Sequence, residues 1–153
     1  MSASKPKPRL PPRWFIRRFW FAHRRLYRMS GGRVGLWRPK PNRWGAMRIN
    51  TVGRRTGHEH SVFVGYFEDG SNLVTMAMNG WGDGEPAWWL NLQTHPDTRV
   101  NLVDGPRQVK ARAVHGEERE RLWSRWQELD KDLDAYAARR TTETAIVVFE
   151  PRL

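Results

Sequence analysis

Between residues 13 and 29 apolar side chains recur at helical spacing. Phe15, Phe19, Ala22 and Leu26 fall on one stripe, Ile16, Trp20, His23 and Tyr27 lie one step round from it, and Arg17, Arg24 and Arg28 share the opposite side. The spacing predicts an amphipathic helix over Arg13–Met29, started after Pro12 and stopped by Ser30, Gly31 and Gly32. From Trp44 onward the period changes to that of short strands. Residues 46–52 alternate, 61–67 are β-branched and aromatic, 68–72 carry the composition of a hairpin turn, and 73–78 form the next strand. Pro86 opens a short helix over 87–93, which His95 and Pro96 end. Residues 98–103 and 107–115 flank Asp104-Gly105-Pro106 as a further hairpin. A long helix is predicted over 117–140, with Glu117 and Glu118 at its positive end and Leu122, Trp126, Leu129, Leu133 and Tyr136 as a core stripe. The apolar run over 144–150 reads as a closing strand. Five or six antiparallel strands with a few helices make a mainly β, α+β chain, best satisfied by a closed or nearly closed barrel that leaves no bare edge.

The pattern divides the chain into an extended, proline-rich arm over 1–12, a basic helix with its linker over 13–43, and a barrel domain over 44–153. Charge follows the same division. The formal net charge is +11, yet 14 of the 27 Lys and Arg lie in the first 48 residues, which hold no Asp or Glu; the remainder is slightly acidic. The Arg13–Met29 helix therefore admits three readings: its aromatic residues pack on the barrel, it lies on an anionic membrane surface, or it binds a phosphate backbone, nucleic acid being the least favoured partner. No apolar run is long enough to span a bilayer and no secretory leader is visible, so the expected location is the cytoplasm, with peripheral contact on the inner face of the membrane. The absence of cysteine excludes disulfides, thiol catalysis and thiolate metal sites.

Two stretches carry candidate chemistry. Gly53-Arg54-Arg55-Thr56-Gly57 brings two guanidiniums, a hydroxyl and free backbone amides into one tight turn, a set suited to phosphate or carboxylate oxygens; a charged hairpin turn without a ligand is the plain alternative. Gly80-Trp81-Gly82-Asp83-Gly84 leads into a helix start flanked by Trp88 and Trp89, so backbone could approach a planar ring that the tryptophans wall. His58 and His60 share a strand face, but no third ligand is suggested nearby, so no metal is expected. No serine is marked as a nucleophile with a histidine and carboxylate to orient it, and no carboxylate pair is set up for hydrolysis. Any chemistry should be carried by a cofactor.

At these residues the chain resembles a known family. Val52-Gly53-Arg54-Arg55-Thr56-Gly57, then Asp69-Gly70, Met78-Asn79-Gly80, Pro86-Ala87-Trp88-Trp89-Leu90-Asn91-Leu92, His95-Pro96 and the terminal Ile146-Val147-Val148-Phe149-Glu150-Pro151 are similar to the deazaflavin-dependent nitroreductase and quinone reductase family of actinobacteria. The resemblance implies an antiparallel split β-barrel of the FMN-binding type that takes coenzyme F420 in preference to FMN, and hydride transfer from the reduced coenzyme to a quinone-like or other planar, electron-poor acceptor. It implies that Arg54, Arg55, Thr56, His60 and Ser61 hold the phosphate and acidic tail. Ala77, Met78 and Asn79 would line the ring, with Ala87, Trp88, Trp89 and Asn91 closing over it. Trp20, Trp81, Leu133 and Tyr136 would face the acceptor, Tyr136 also as a proton donor or orienting group. Two positions depart from the family pattern: His60 stands where arginine is usual, and Asp130 and Leu133 replace two tyrosines of the substrate wall, which argues against nitroreductase activity. A non-catalytic F420 carrier and a basic membrane- or RNA-binding module are the alternatives. The acceptor's identity and the oligomeric state are left open by the sequence.

Overall fold

The structure, a computed structural model of the chain, describes residues 13–29 and 35–152, so the predicted arm over 1–12 and the Ser30-Gly31-Gly32 stop lie outside the described residues. Six strands close into an antiparallel barrel in the order β1-β2-β3-β6-β5-β4, with β4 paired back onto β1. They are β1 (Gly45–Val52), β2 (Glu59–Asp69), β3 (Asn72–Met76), β4 (Asp97–Leu102), β5 (Gly105–Ala113) and β6 (Ile146–Pro151). Helix α1 is Arg13–Met29, α2 is Ala87–Thr94, α3 is Gly116–Leu129 and α4 is Leu133–Ala137.

Register follows from turn chemistry and from which face is buried. Asp69 pairs with Asn72 across a two-residue turn in which Gly70 adopts φ +61°, and that tight turn fixes the β2–β3 register. Strands β2, β3 and β6 are apolar on both faces. Tyr66, Leu73, Val147 and Phe149 point into the barrel core with Met47, Ile49 and Val100, while Phe67, Val74, Ile146 and Val148 pack outside it against Leu122 and Trp126 of α3 and Leu133 of α4. The closing strand therefore reads as an unbroken hydrophobic run, the signature of two-sided burial.

The helix predicted over 117–140 is two helices. Asp130 leaves the helical region at φ −138°, its Oδ1 accepts the backbone N–H of Asp132 at 3.1 Å, and α4 restarts at Leu133. The apolar period crosses the break because both helices press on the same core.

Helix α1 forms as the periodicity predicts, but it docks by a different edge. His23 Nε2 lies 3.0 Å from the Gly35 carbonyl oxygen and its ring meets Phe63 edge-on at 4.5 Å, whereas Phe15, Phe19 and Leu26 of the main stripe are 50–54% exposed. Trp14 and Phe21 are also exposed. Beyond α1, Leu36 is buried and Trp37 bridges Ala46, so the predicted linker lies along the barrel. No helix among the described residues is long and apolar enough to cross a membrane.

Candidate functional site

The β1–β2 turn forms one wall. Gly53 N–H donates to the His58 carbonyl at 2.8 Å and Gly57 N–H to the Gly53 carbonyl at 2.9 Å, with Gly57 at φ +72°. Gly53 is needed here for space: a Cβ on it would sit 2.7 Å from Thr56 Oγ1 and 3.0 Å from His60 Nε2. The turn is tied to α2 through Asn91, which is buried and whose Oδ1 accepts from the Arg54 backbone N–H at 3.2 Å and from Arg54 Nη1 at 3.0 Å. Asn91 Nδ2 donates to Thr51 Oγ1 at 3.2 Å, which fixes the orientation of the amide. Arg48 Nη2 likewise donates to Ser61 Oγ at 2.9 Å.

These residues enclose a cavity of about 430 Å³ whose lining runs from Arg54, Arg55, Thr56, His60 and Ser61 at one end to Val62, Ala87 and Trp88 at the other. No Asp or Glu is among the described residues that line it. A second cavity of about 350 Å³ adjoins it and shares Val62 and Trp88 as common wall. Phe63, Val64, Met76, Met78 and Pro86 give it an apolar floor, Asn79 and Gly80 a rim, and Ile16, Arg17 and Arg24 of α1 a roof.

The loop at that rim is strained and clasped. Asn79, Gly80 and Trp81 take positive φ of 50°, 60° and 62°, costly for a tryptophan. Arg140, nearly fully buried, donates four bonds, two of them to the loop. Nε reaches the Gly82 carbonyl at 2.8 Å, Nη2 the Gly84 carbonyl at 2.6 Å, and Nη1 both the Ala77 carbonyl at 3.1 Å and Thr144 Oγ1 at 2.7 Å. Beside it, Asp83 Oδ1 accepts from Thr141 N–H at 2.6 Å and Thr141 Oγ1 at 2.9 Å, and these two donors hold the Asp83 carboxyl below its ordinary pKa. Thr142 Oγ1 accepts the Gly84 N–H at 2.9 Å.

Of the residues singled out in the sequence, Arg54, Arg55, Thr56, His60, Ser61, Ala87, Trp88 and Asn91 line the first cavity, and Met78 and Asn79 the second. Five others among the described residues, Ala77, Trp81, Trp89, Leu133 and Tyr136, line neither. Ala77, just past the end of β3, and Trp89, one helical step round from Trp88 on α2, are buried in the barrel core. Leu133 is fully buried in the outer core, where no acceptor can reach it, and Trp81 stacks on Tyr136 at 5.8 Å outside both cavities. The proton-donor role expected of Tyr136 thus has no support from its position. The side chain of Trp20 lies outside the described residues. Sequence reading missed Val62, which joins the cavities, and Arg140, which carried no motif. It also read Arg17 and Arg24 only as the polar side of a helix. The alternation that buries Phe63 could have marked its neighbour Val62; nothing local could have marked Arg140, whose partners lie 56 to 63 residues away apart from Thr144.

The model of the F420H(2)-dependent quinone reductase family matches residues 20–151. A relative from Mycobacterium tuberculosis (strain ATCC 25618 / H37Rv), Rv3178, named for F420H(2)-dependent quinone reduction, is 28% identical over 100 residues, covering 65% of this chain and 83% of its own. Among solved structures, the F420-H2 dependent reductase FDR-A superposes with a TM-score of 0.62 at 23% identity, over 69% of this chain and 93% of that one. A domain-swapped dimer superposes with a TM-score of 0.64 at 22% identity, over 92% of this chain and all of the other. At those identities the structural likeness establishes the split-barrel fold.

Proposed function

The chain belongs to the F420H(2)-dependent quinone reductase family, and we propose that the two adjoining cavities divide its reaction, the first taking coenzyme F420 and the second the acceptor. The protein is an F420H(2)-dependent reductase of a quinone-like small molecule. What carries the division of labour is the gradient across the two adjoining cavities: guanidiniums and hydroxyls at the Arg54 end, an aromatic and aliphatic wall at Trp88, then an apolar chamber beyond Val62.

The donor set fits the coenzyme. Arg54, Arg55, Thr56, His60 and Ser61 would take the phosphate and carboxylates of its tail, with Asn91 holding Arg54 in place, and no acidic side chain among the described lining residues opposes them. Val62, Ala87 and Trp88 would flank the flat ring in the first cavity, with Met78 and Asn79 beyond the shared wall on the acceptor's side. When bound, the reduced coenzyme supplies a hydride. The chain's own work is to hold ring and acceptor in contact and to keep water out through Phe63, Met76, Met78 and Trp88.

Tryptophan fluorescence tests this reading, since the chain has nine tryptophans. Titration with F420 should quench saturably and with FMN far less. Replacing Arg54 and Arg55 together by Ala should weaken F420 binding by about 2–5 kcal/mol through loss of charge-assisted bonds. An unchanged dissociation constant would remove the anion site from the Gly53–Gly57 turn.

A peripheral membrane location has one supporting observation. Trp14, Phe15, Phe19, Phe21 and Leu26 stay exposed on a helix that also exposes Arg18 and Arg25, a surface suited to the headgroup region of an anionic bilayer. Cosedimentation with vesicles containing anionic lipid should fall sharply on Phe15→Ser with Phe19→Ser and with added salt; equal sedimentation of both proteins would discard the location.

A further inference from the structure

Helix α1 is mounted in an inverted sense. A helix that packs on a core for stability turns its apolar stripe inward, but here Phe15 and Phe19 face solvent while Arg17 and Arg24, seven residues and two turns apart, line the roof of the second cavity beside Ile16. No ion pair among the described residues engages either arginine. They are the only titratable side chains among the described residues lining that cavity.

From this we propose that Arg17 and Arg24 recognise negative charge on the acceptor, so that the enzyme prefers planar acceptors carrying an anionic substituent. The proposal rests on the reading that the second cavity takes the acceptor. Hydride transfer brings two electrons and one proton to a quinone and leaves the coenzyme oxidised. The product is a hydroquinone monoanion until a second proton arrives from solvent. No Asp, Glu, His, Lys or Tyr is among the described residues that line the cavity. The two guanidiniums instead offset the negative charge, both the charge the acceptor brings and the one it gains, next to an apolar floor where such charge is poorly hydrated. A sulfonate, carboxylate or phenolate beside the quinone ring meets the same pair.

The test compares 1,4-naphthoquinone-2-sulfonate with 2-methyl-1,4-naphthoquinone, two acceptors with one ring system. Binding is read by tryptophan quenching in protein without coenzyme, and turnover is read separately with reduced F420. The wild type should bind the sulfonate about ten-fold more tightly at low salt, with the advantage shrinking as salt screens it. Arg17→Gln with Arg24→Gln should remove the advantage, leave binding of the neutral quinone within about two-fold, and leave the F420 dissociation constant unchanged; Arg17→Lys with Arg24→Lys should restore part of the preference. Equal affinity for both quinones in the wild type, or a preference that survives the double Gln change, overturns the proposal. Loss of F420 binding by the wild type would overturn the coenzyme reading instead, and the quinone comparison would stand apart from it. Should the double variant misfold, the salt dependence of the wild-type preference still decides.

Discussion

Asn91 would act on the coenzyme through another side chain. Its amide meets Arg54 twice and Thr51 once, so both ends are committed to protein. The expectation that Asn91 itself closes over the ring gives way to a positioning role: it sets the direction in which the remaining Arg54 N–H groups point. Asn91→Ala should weaken F420 binding by about 1–2 kcal/mol, the scale of bonds to a charged group. In a double-mutant cycle with Arg54→Ala the two losses should not add, because they remove one arrangement. Additive losses would show that Asn91 touches the coenzyme by itself. The arginine pair was legible in the sequence as a motif, and Asn91 as a site residue expected to close over the ring; its bond to Arg54 was not legible, because hydrogen bonding across 37 residues leaves no local trace.

Among the elements, the loop from Asn79 to Gly84 depends most on a distant partner. Left-handed backbone at three successive residues persists because Arg140 and Asp83 tie the loop to the chain before β6. Arg140→Met keeps the volume but removes the Arg140 donors to the Ala77, Gly82 and Gly84 carbonyls, the last keeping only its bond from Asn79 Nδ2, and should cost about 2–4 kcal/mol in a denaturant titration. It should also raise KM for the acceptor, whose cavity the loop rims, more than it weakens F420 binding. An equal effect on both ligands would assign Arg140 to general stability alone. At this scale sequence reading succeeded where a period is local and failed where geometry is shared. Every strand was foreseen to within a few residues at its ends, because alternation survives in short runs. The α3–α4 break was missed because Leu122, Trp126, Leu129 and Leu133 keep helical spacing across it. The orientation of α1 was missed because an apolar stripe says which side is greasy and not which side touches the barrel.

For the whole molecule, the barrel core governs behaviour at high pH. Tyr66 is 1% exposed and burial pushes its phenol up to about 12, with nearby Glu68 and Asp104 adding to the rise. A group whose folded pKa is raised contributes fully below its unfolded value and loses that contribution as pH climbs to the folded one. Stability should therefore hold to about pH 10 and fall by about 2 kcal/mol by about pH 12, with the tyrosinate absorbance rising together with unfolding. Tyr66→Phe should flatten that decline; a decline of the same size in Tyr66→Phe would exclude Tyr66 as its source.

The strand order also has a consequence for how the chain is made. Strand β6 lies between β3 and β5, so its neighbours in the barrel wait for Ile146–Pro151 before either gains its second partner. A sheet formed by β1 to β5 before β6 is made would have two open edges, Leu73 and Val74 on one and Ala111 on the other, and β6, apolar on both faces, would have to find the gap. Closure thus waits on Ile146–Pro151, and chaperone binding to nascent chains should concentrate in the interval before that strand pairs.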